Sequence, residues 1–578
     1  MLQFVLFDPA KQSFLRQVES KPFLLLSNCS IIHRKKAQKK QRGALLGMFS
    51  LRRKNHLTCN DSLLLFLNGP TETSLAIRIW YAELPNILNG GISMSNTLKE
   101  RNLTMLTDFY ELSMANGYFC CGMKDRITWF DMFFRQVPDD GGFAIMAGLR
   151  QLIDYLENLS FTQKDIEMLR KKGFNEDFLD YLLNFKFSCD VWAIPEGTVI
   201  FPGEPIVTVR GPVIQAQLIE TMVLLTINHQ SLIATKANRL KRAAGNRTIM
   251  EFGSRRAQGY DGAIYGARAA YIGGCDATAC AIDERDYGVP AVGTMAHSWV
   301  QLFDSELEAF CAYARQYPDQ CTLLVDTYNV LKSGIPNAIE VFRKEVLPRG
   351  FRPQGVRIDS GDITYLSKKA RKMLDDAGFP DCKIVASNSL DENIIRDMLI
   401  QGAKLDSFGV GERLITAASA PVFGGVYKIV AVEENGVPQP RIKLSENVVK
   451  ITTPCAKKLY RLYDNESGKA LADVVTLFDE SIDSSKPYEI FDPVYTWKRK
   501  TLENFTAKEL HVKIFEGGKK IYNSPDIADI RAYCKEQVDT LWDEVKRFEN
   551  PHKYYVDLSQ KLWNEKHRML DEYAVKDR

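Results

Sequence analysis

Gly355-Val356-Arg357-Ile358-Asp359-Ser360-Gly361-Asp362 is the stretch on which the fold turns. A short apolar run, Gly355–Ile358, stops at Asp-Ser-Gly-Asp, and a helical pattern follows. The same grammar recurs on both sides. Thr248–Phe252, Ala291–Ala296 and Cys321–Val325 precede it, and Lys383–Ala386 and Ser407–Val410 come after. The six runs start 43, 30, 34, 28 and 24 residues apart, the spacing of strand–helix units. Runs that are apolar throughout, rather than alternating, belong to strands buried on both faces, hence to a parallel sheet. Five or more such units in so short a span favour a closed α/β barrel over an open sheet.

Outward from this core the text changes. Residues 108–118 place Phe109, Leu112 and Tyr118 on one helical face. Residues 127–134 read as a strand, and 143–158 as a helix with Leu149, Leu152, Ile153 and Leu156 inward. Around 191–212, Pro and Gly punctuate a β-like segment. These pieces predict a small mixed α/β domain ahead of the barrel. The full 578 residues exceed what one hydrophobic core supports, so more than one domain is expected.

Composition excludes several classes. An apolar fraction of 45% and a charged fraction of 25% describe a soluble globular chain, neither disordered nor collagen-like. Unbroken apolar runs such as Phe23–Leu26 and Leu63–Leu67 are far too short to span a membrane. Twelve cysteines without a Cys-x-x-Cys pair point to reduced thiols and a cytoplasmic location, and exclude zinc ribbons and redox dithiols. The net charge of +3 hides an uneven distribution: residues 1–93 carry 13 Lys/Arg against 5 Asp/Glu, mostly within 34–54. That run has no interleaved aromatics, so it reads as a poorly ordered basic extension. Composition becomes ordinary at Met94. A chain shortened to begin there is expected to keep its melting temperature and turnover; loss of either would place the extension within the fold.

In parallel barrels the C-terminal strand ends build the active site. Those positions here are Gly253-Ser254-Arg255-Arg256, His297-Ser298, Asp326-Thr327, Arg357 with Asp359-Ser360-Gly361-Asp362, Ser387-Asn388, and Gly409-Val410-Gly411-Glu412. Cations, glycine turns and carboxylates together suit an anionic, phosphorylated substrate with a metal. His297 follows small residues that let a ligand approach the backbone. Arg357 and Asp359 lie two apart and share a face, as an ion pair or as ligand contacts. Arg255 and Arg256 are surface charge or an anion site. The Gly-Val-Gly turn is either a tight connection or a phosphate cradle. Neither Gly-x-x-x-x-Gly-Lys-Ser/Thr nor Gly-x-Gly-x-x-Gly occurs.

Thr107-Asp108-Phe109-Tyr110, Glu251–Asp261, Gly293–Ser298, Asp326-Thr327-Tyr328, Arg357–Asp362 and Gly424-Gly425-Val426-Tyr427-Lys428 appear in an order that resembles the nicotinate phosphoribosyltransferase family. The resemblance extends over roughly residues 94–450, and Pro551–Trp563 also looks like the family's C-terminus. It implies a type II phosphoribosyltransferase: an irregular α/β barrel at 206–430, and an open α/β domain at 94–205 completed by 431–578. The implied reaction joins nicotinate to 5-phosphoribosyl 1-diphosphate, coupled to ATP hydrolysis with Mg²⁺, in a homodimer. By the same resemblance His297 is a phosphohistidine and catalytic with Asp359. Tyr110, Arg255, Thr294, Ser298 and Arg357 line the nicotinate pocket, and Gly411 meets the ribose phosphate. Glu412 departs from the Thr of some members and would repel that phosphate. The metal ligands are left open. Rival readings are a nicotinamide or quinolinate phosphoribosyltransferase, or a nucleic-acid-binding protein acting through 34–54.

Overall fold

The computed structural model describes residues 101–447 and 450–576. The expectations for residues 1–93, including the nucleic-acid reading of 34–54, lie outside the described residues. Among the described residues no helix is long and apolar enough to cross a membrane, and the ten cysteines form no disulfide.

Six short strands form one all-parallel sheet in the spatial order Ala277–Thr278, Thr248–Glu251, Ser407–Val410, Lys383–Ser387, Gly355–Ile358, Thr322–Leu324. Followed as a ring, this is chain order. The last strand, Ser407–Val410, lies beside the first, Thr248–Glu251, as in a barrel. The ring is incomplete at one seam. Beyond Ala277–Thr278 only a single bridge, Thr278 to Ala291, continues the ladder, and no pairing joins Ala291 to Thr322–Leu324. The barrel is irregular in this sense.

One strand assignment made from the sequence is corrected here. Ala291–Ala296 is not a strand: one bridging residue leads into extended backbone. The strand that pairs there is Ala277–Thr278, too short and too polar in context to be read from hydrophobicity. The other runs match closely. Ser407–Val410 is buried at every position and Lys383–Ser387 at all but its first, as two-faced burial requires.

The preceding segment folds as expected in outline. Ile127–Phe133 is a strand, and of the helix read over 143–158 only Leu149–Glu157 is helical, burying Leu149, Leu152, Ile153 and Leu156, while Ala144–Ile145 pairs as a strand with Val199–Ile200. The helix Phe109–Cys120 differs from its reading. It buries Leu112 and Ala115, whereas Phe109 is 47% exposed and meets Phe174 edge-on at 5.8 Å. An antiparallel seven-stranded sheet runs Val437–Pro440, Val426–Glu434, Ile127–Phe133, Val207–Pro212, Asp190–Ala193, Val512–Glu516, Lys519–Lys520. Segments on both sides of the barrel in sequence therefore share one sheet. A 25-residue helix, Glu220–Ala244, leads from this region into the barrel.

A second sheet, of four strands, holds the most deeply buried charge. Arg461 and Asp473, both fully buried, face each other across paired strands with Nε–Oδ1 at 2.8 Å and Nη2–Oδ2 at 2.6 Å. Gln537 and the Val199 carbonyl accept further bonds from Arg461, and Tyr554 donates to Asp473. Burial, then the Asp473 charge, pushes the Glu204 carboxyl well above its ordinary value. A protonated Glu204 can donate to Asp473, which supplies the partner that its Oε1 lacks as a carboxylate. Asp473→Asn leaves the arginine unpaired in a dry interior. That change is expected to destabilise the fold by about 3–5 kcal/mol, read as a lower denaturant midpoint.

Candidate active site

The strand ends converge on Arg357. It projects from Gly355–Ile358 on the side opposite the buried Val356 and Ile358. Its Nε donates to Ser387 Oγ at 2.8 Å, Nη1 to Thr294 Oγ1 at 3.1 Å, and Nη2 to Asp359 Oδ1 at 3.0 Å. Ser387 Oγ also donates to Asp359 Oδ1. Three strand ends or their loops thus hold one guanidinium whose side chain is 15% exposed. The guanidinium lies over the Phe252 ring, 5.7 Å from its centroid. Three of the five N–H donors are used, which leaves one on each Nη.

His297 opens the short helix His297–Gln301 at the barrel seam. Its Nδ1 lies 3.1 Å from Thr327 Oγ1, across the gap the backbone ladder leaves open. Its Nε2 faces Asp359 Oδ2 at 3.9 Å, and the side chain is 41% exposed. One ring nitrogen is thus held by a neighbour and the other is presented to the cleft. Asp359 carries charge between the histidine and the arginine. Ser298 is exposed beside them.

The remaining carboxylates differ in use. Asp326 Oδ2 accepts from Ser360 at 2.6 Å, while its Oδ1 is buried without a hydrogen-bond partner. Asp362 caps the helix Ile363–Asp376 by accepting from the Tyr365 amide at 2.9 Å. Among the described residues no three His, Cys, Asp or Glu side chains form a ready metal cage. The orphaned Asp326 oxygen is of the kind that suits Mg²⁺, which keeps few protein ligands and takes the rest from phosphate and water.

The glycine turn has a packing reason. A Cβ on Gly409 would sit 2.4 Å from Phe252 Cδ2, so glycine lets the ring lie beneath Arg357. Gly411 faces the Phe252 carbonyl and precedes the helix Glu412–Ile415. Glu412 Oε2 lies 3.8 Å from Arg256 Nε, both exposed, so a neighbouring cation offsets its charge. Arg255 is exposed and makes no hydrogen bond or ion pair among the described residues. Its turn is anchored from behind. Buried Glu251 accepts from the Gly253 amide and, at 2.7 Å, from Thr278 Oγ1. Burial raises the Glu251 carboxyl, and burial pushes that of neighbouring Asp283 up to about 7.

Tyr110 stands apart from this cluster. It lies on the helix Phe109–Cys120, is 47% exposed, and among the described residues has no contact with Arg357, Thr294 or His297. Burial and the nearby Glu220 raise its hydroxyl pKa. Ser387, Thr327 and Phe252 are the functional neighbours that sequence reasoning did not promote. Their signal was the strand-end position itself, which gives a location but not a partner.

Three family models match: the nicotinate phosphoribosyltransferase N-terminal domain at residues 105–228, the nicotinate phosphoribosyltransferase family at 247–476, and its C-terminal domain at 456–566. The chain is 44% identical over 475 residues to nicotinate phosphoribosyltransferase of Bacillus subtilis, covering 82% of this chain and 96% of that one. It is 33% identical to the Caenorhabditis elegans protein of the same name, covering 80% and 93%. The crystal structure of human nicotinic acid phosphoribosyltransferase superposes with a TM-score of 0.70 at 29% identity, covering 80% of this chain and all of that one.

Proposed function

The chain belongs to the nicotinate phosphoribosyltransferase family, and from that premise we propose that Arg357 receives the substrate carboxylate and His297 a phosphoryl group. It is an enzyme of that type, joining nicotinate to phosphoribosyl diphosphate in NAD biosynthesis. The observation that supports the assignment is the guanidinium itself. It is fixed by three side chains, has low exposure, and keeps one N–H on each Nη for a two-point grip on a carboxylate.

Held this way, the pyridine ring aims its nitrogen at C1 of the ribose. The N–C1 bond forms as the C1–O bond to diphosphate breaks, and diphosphate leaves with the electron pair. Oxocarbenium character develops at C1, and fixed charge in a cleft that excludes water stabilises it better than water would. Asp359 lies close enough to serve this purpose while it neutralises Arg357. Thr294 and Ser298 line the nicotinate side, and Arg255 is available to an anion at the rim. Gly411 offers backbone to the ribose phosphate, with Glu412 offset by Arg256. Mg²⁺, bound through the diphosphate and Asp326, would neutralise charge on the leaving group. His297 Nε2 faces the cleft and is the proposed acceptor of phosphate from ATP. Tyr110, which makes no contact with this cluster among the described residues, is assigned to nicotinate only by family resemblance. A cytoplasmic homodimer is part of the same proposal.

The test is product formation from phosphoribosyl diphosphate with nicotinate, nicotinamide or quinolinate, each with and without ATP. Nicotinate turnover accelerated by ATP supports the reading. Equal rates with the amide would remove the role given to Arg357, and indifference to ATP would remove the role given to His297.

A further inference from the structure

The long helix Glu220–Ala244 carries a buried lysine that the proposed reaction does not use. Lys236 commits all three of its N–H donors, each to a different part of the chain. Nζ donates to Asp139 Oδ2 at 3.1 Å, to Glu392 Oε1 at 2.8 Å and to Ser419 Oγ at 2.7 Å. Arg239, on the next turn of the helix, donates from Nε to the same Glu392 oxygen at 2.9 Å. Lys236, Arg239 and Glu392 are all buried. Burial would raise the Asp139 carboxyl, but Ser419 and Lys236 outweigh it and hold that carboxyl below its ordinary value, so the group stays charged.

Two of these partners belong to loops that leave strand ends of the barrel. Glu392 follows Lys383–Ser387, whose last residue bonds Arg357 and Asp359. Ser419 follows Ser407–Val410, its glycine turn and the helix Glu412–Ile415. A second tie joins the two loops directly. Arg413 donates to Asp391, which also caps the helix Glu392–Ile400 by accepting from the Ile394 amide at 2.8 Å. Loops of this shape need ties. Asn388, Ser389 and Ala417 take φ of 90°, 50° and 44°, a left-handed backbone that non-glycine residues keep only where their surroundings impose it.

We propose that Lys236 is a positioning residue for the phosphoribosyl side of the cleft. It sets the loops after Lys383–Ser387 and Ser407–Val410, and through them the glycine turn. It acts through Ser419 and Glu392 and touches no substrate itself. The proposal rests on the reading that Gly411 meets the ribose phosphate.

The test is steady-state kinetics of the full chain with each substrate varied in turn, beside thermal melting. Lys236→Met is expected to raise KM for phosphoribosyl diphosphate about tenfold, the scale of one charge-assisted hydrogen bond, while KM for nicotinate stays within about twofold. It also leaves two carboxylates short of a cation, so it should melt earlier than wild type. Two companions separate position from stability. Ser419→Ala breaks one bond of the lysine and keeps its charge paired; it should melt like wild type and raise the same KM roughly threefold. Lys236→Met/Glu392→Gln leaves Arg239 and Asp139 as a balanced pair, 3.8 Å apart. It should regain melting temperature and still show the high KM. An unchanged KM for phosphoribosyl diphosphate in Ser419→Ala and in the double variant would overturn the proposal. So would a rise shared equally by both substrates, or a fall in kcat alone. A wild type that makes no product from the two substrates would overturn the reading of function, and the proposal with it.

Discussion

Arg357→Ala is expected to lower kcat/KM for nicotinate by about 30- to 1000-fold and to erase most of the preference for the acid over the amide. The magnitude follows from what each ligand leaves behind. In the proposed reading nicotinate would place a carboxylate against the two N–H groups that Ser387, Thr294 and Asp359 leave unused. Nicotinamide brings no charge, so a nearly buried guanidinium loses its partner at a cost of about 2–4 kcal/mol. Arg357→Lys keeps charge but loses the planar fork. It should bind nicotinate less well and still favour the acid. Removing the arginine also leaves Asp359 without its closest cation, which further disfavours an anionic substrate. The measurement is kcat/KM for acid and amide in wild type and both variants. If the alanine variant keeps the wild-type ratio, Arg357 is structural, and the unpaired Arg255 becomes the leading candidate.

His297→Ala is expected to abolish acceleration by ATP while leaving a slow, uncoupled transfer. The imidazole is the only proposed acceptor for the phosphoryl group, but it is not what positions the pyridine ring or the ribose. Those contacts rest on Arg357, Thr294 and the glycine turn. Acid-labile label from γ-labelled ATP should appear on wild type and vanish in the variant. A variant that labels like wild type would place the phosphate on another residue and sink the assignment. Thr327→Val is the companion change: it removes the hydroxyl that holds Nδ1 without touching the nucleophile. It should weaken the coupling to ATP less than His297→Ala does.

The strands were legible because burial on both faces writes itself as largely apolar runs, as in Lys383–Ala386 and Ser407–Val410. Ala277–Thr278 was not, since two residues cannot show a pattern. Ala291–Ala296 misled for the opposite reason: small apolar residues resemble a strand whether or not they pair. Site positions followed from strand ends, but partners did not. Nothing in the spacing of Ser387 or Thr294 says that both bond Arg357, because that depends on the order of strands in the sheet. The sequence leaves the Gly409-Val410-Gly411 turn as a tight connection or a phosphate cradle; the immediate need for glycine at 409 is the Phe252 ring, a contact between strands far apart in sequence.

The open seam of the barrel makes the two nitrogens of His297 chemically unequal. Nδ1 helps hold one edge to the other through Thr327, so a bond to phosphorus there would break a structural contact. Nε2 has no such duty, and it looks toward the Asp359 carboxylate. The covalent intermediate should therefore be a single positional isomer, with phosphorus on Nε2. In that isomer a doubly charged group would sit beside an existing negative charge, so the bond is formed under repulsion and gives up its phosphoryl group readily. Phosphorus NMR of the labelled, denatured protein separates the two isomers. A signal from the Nδ1 isomer would show that the seam opens during the cycle.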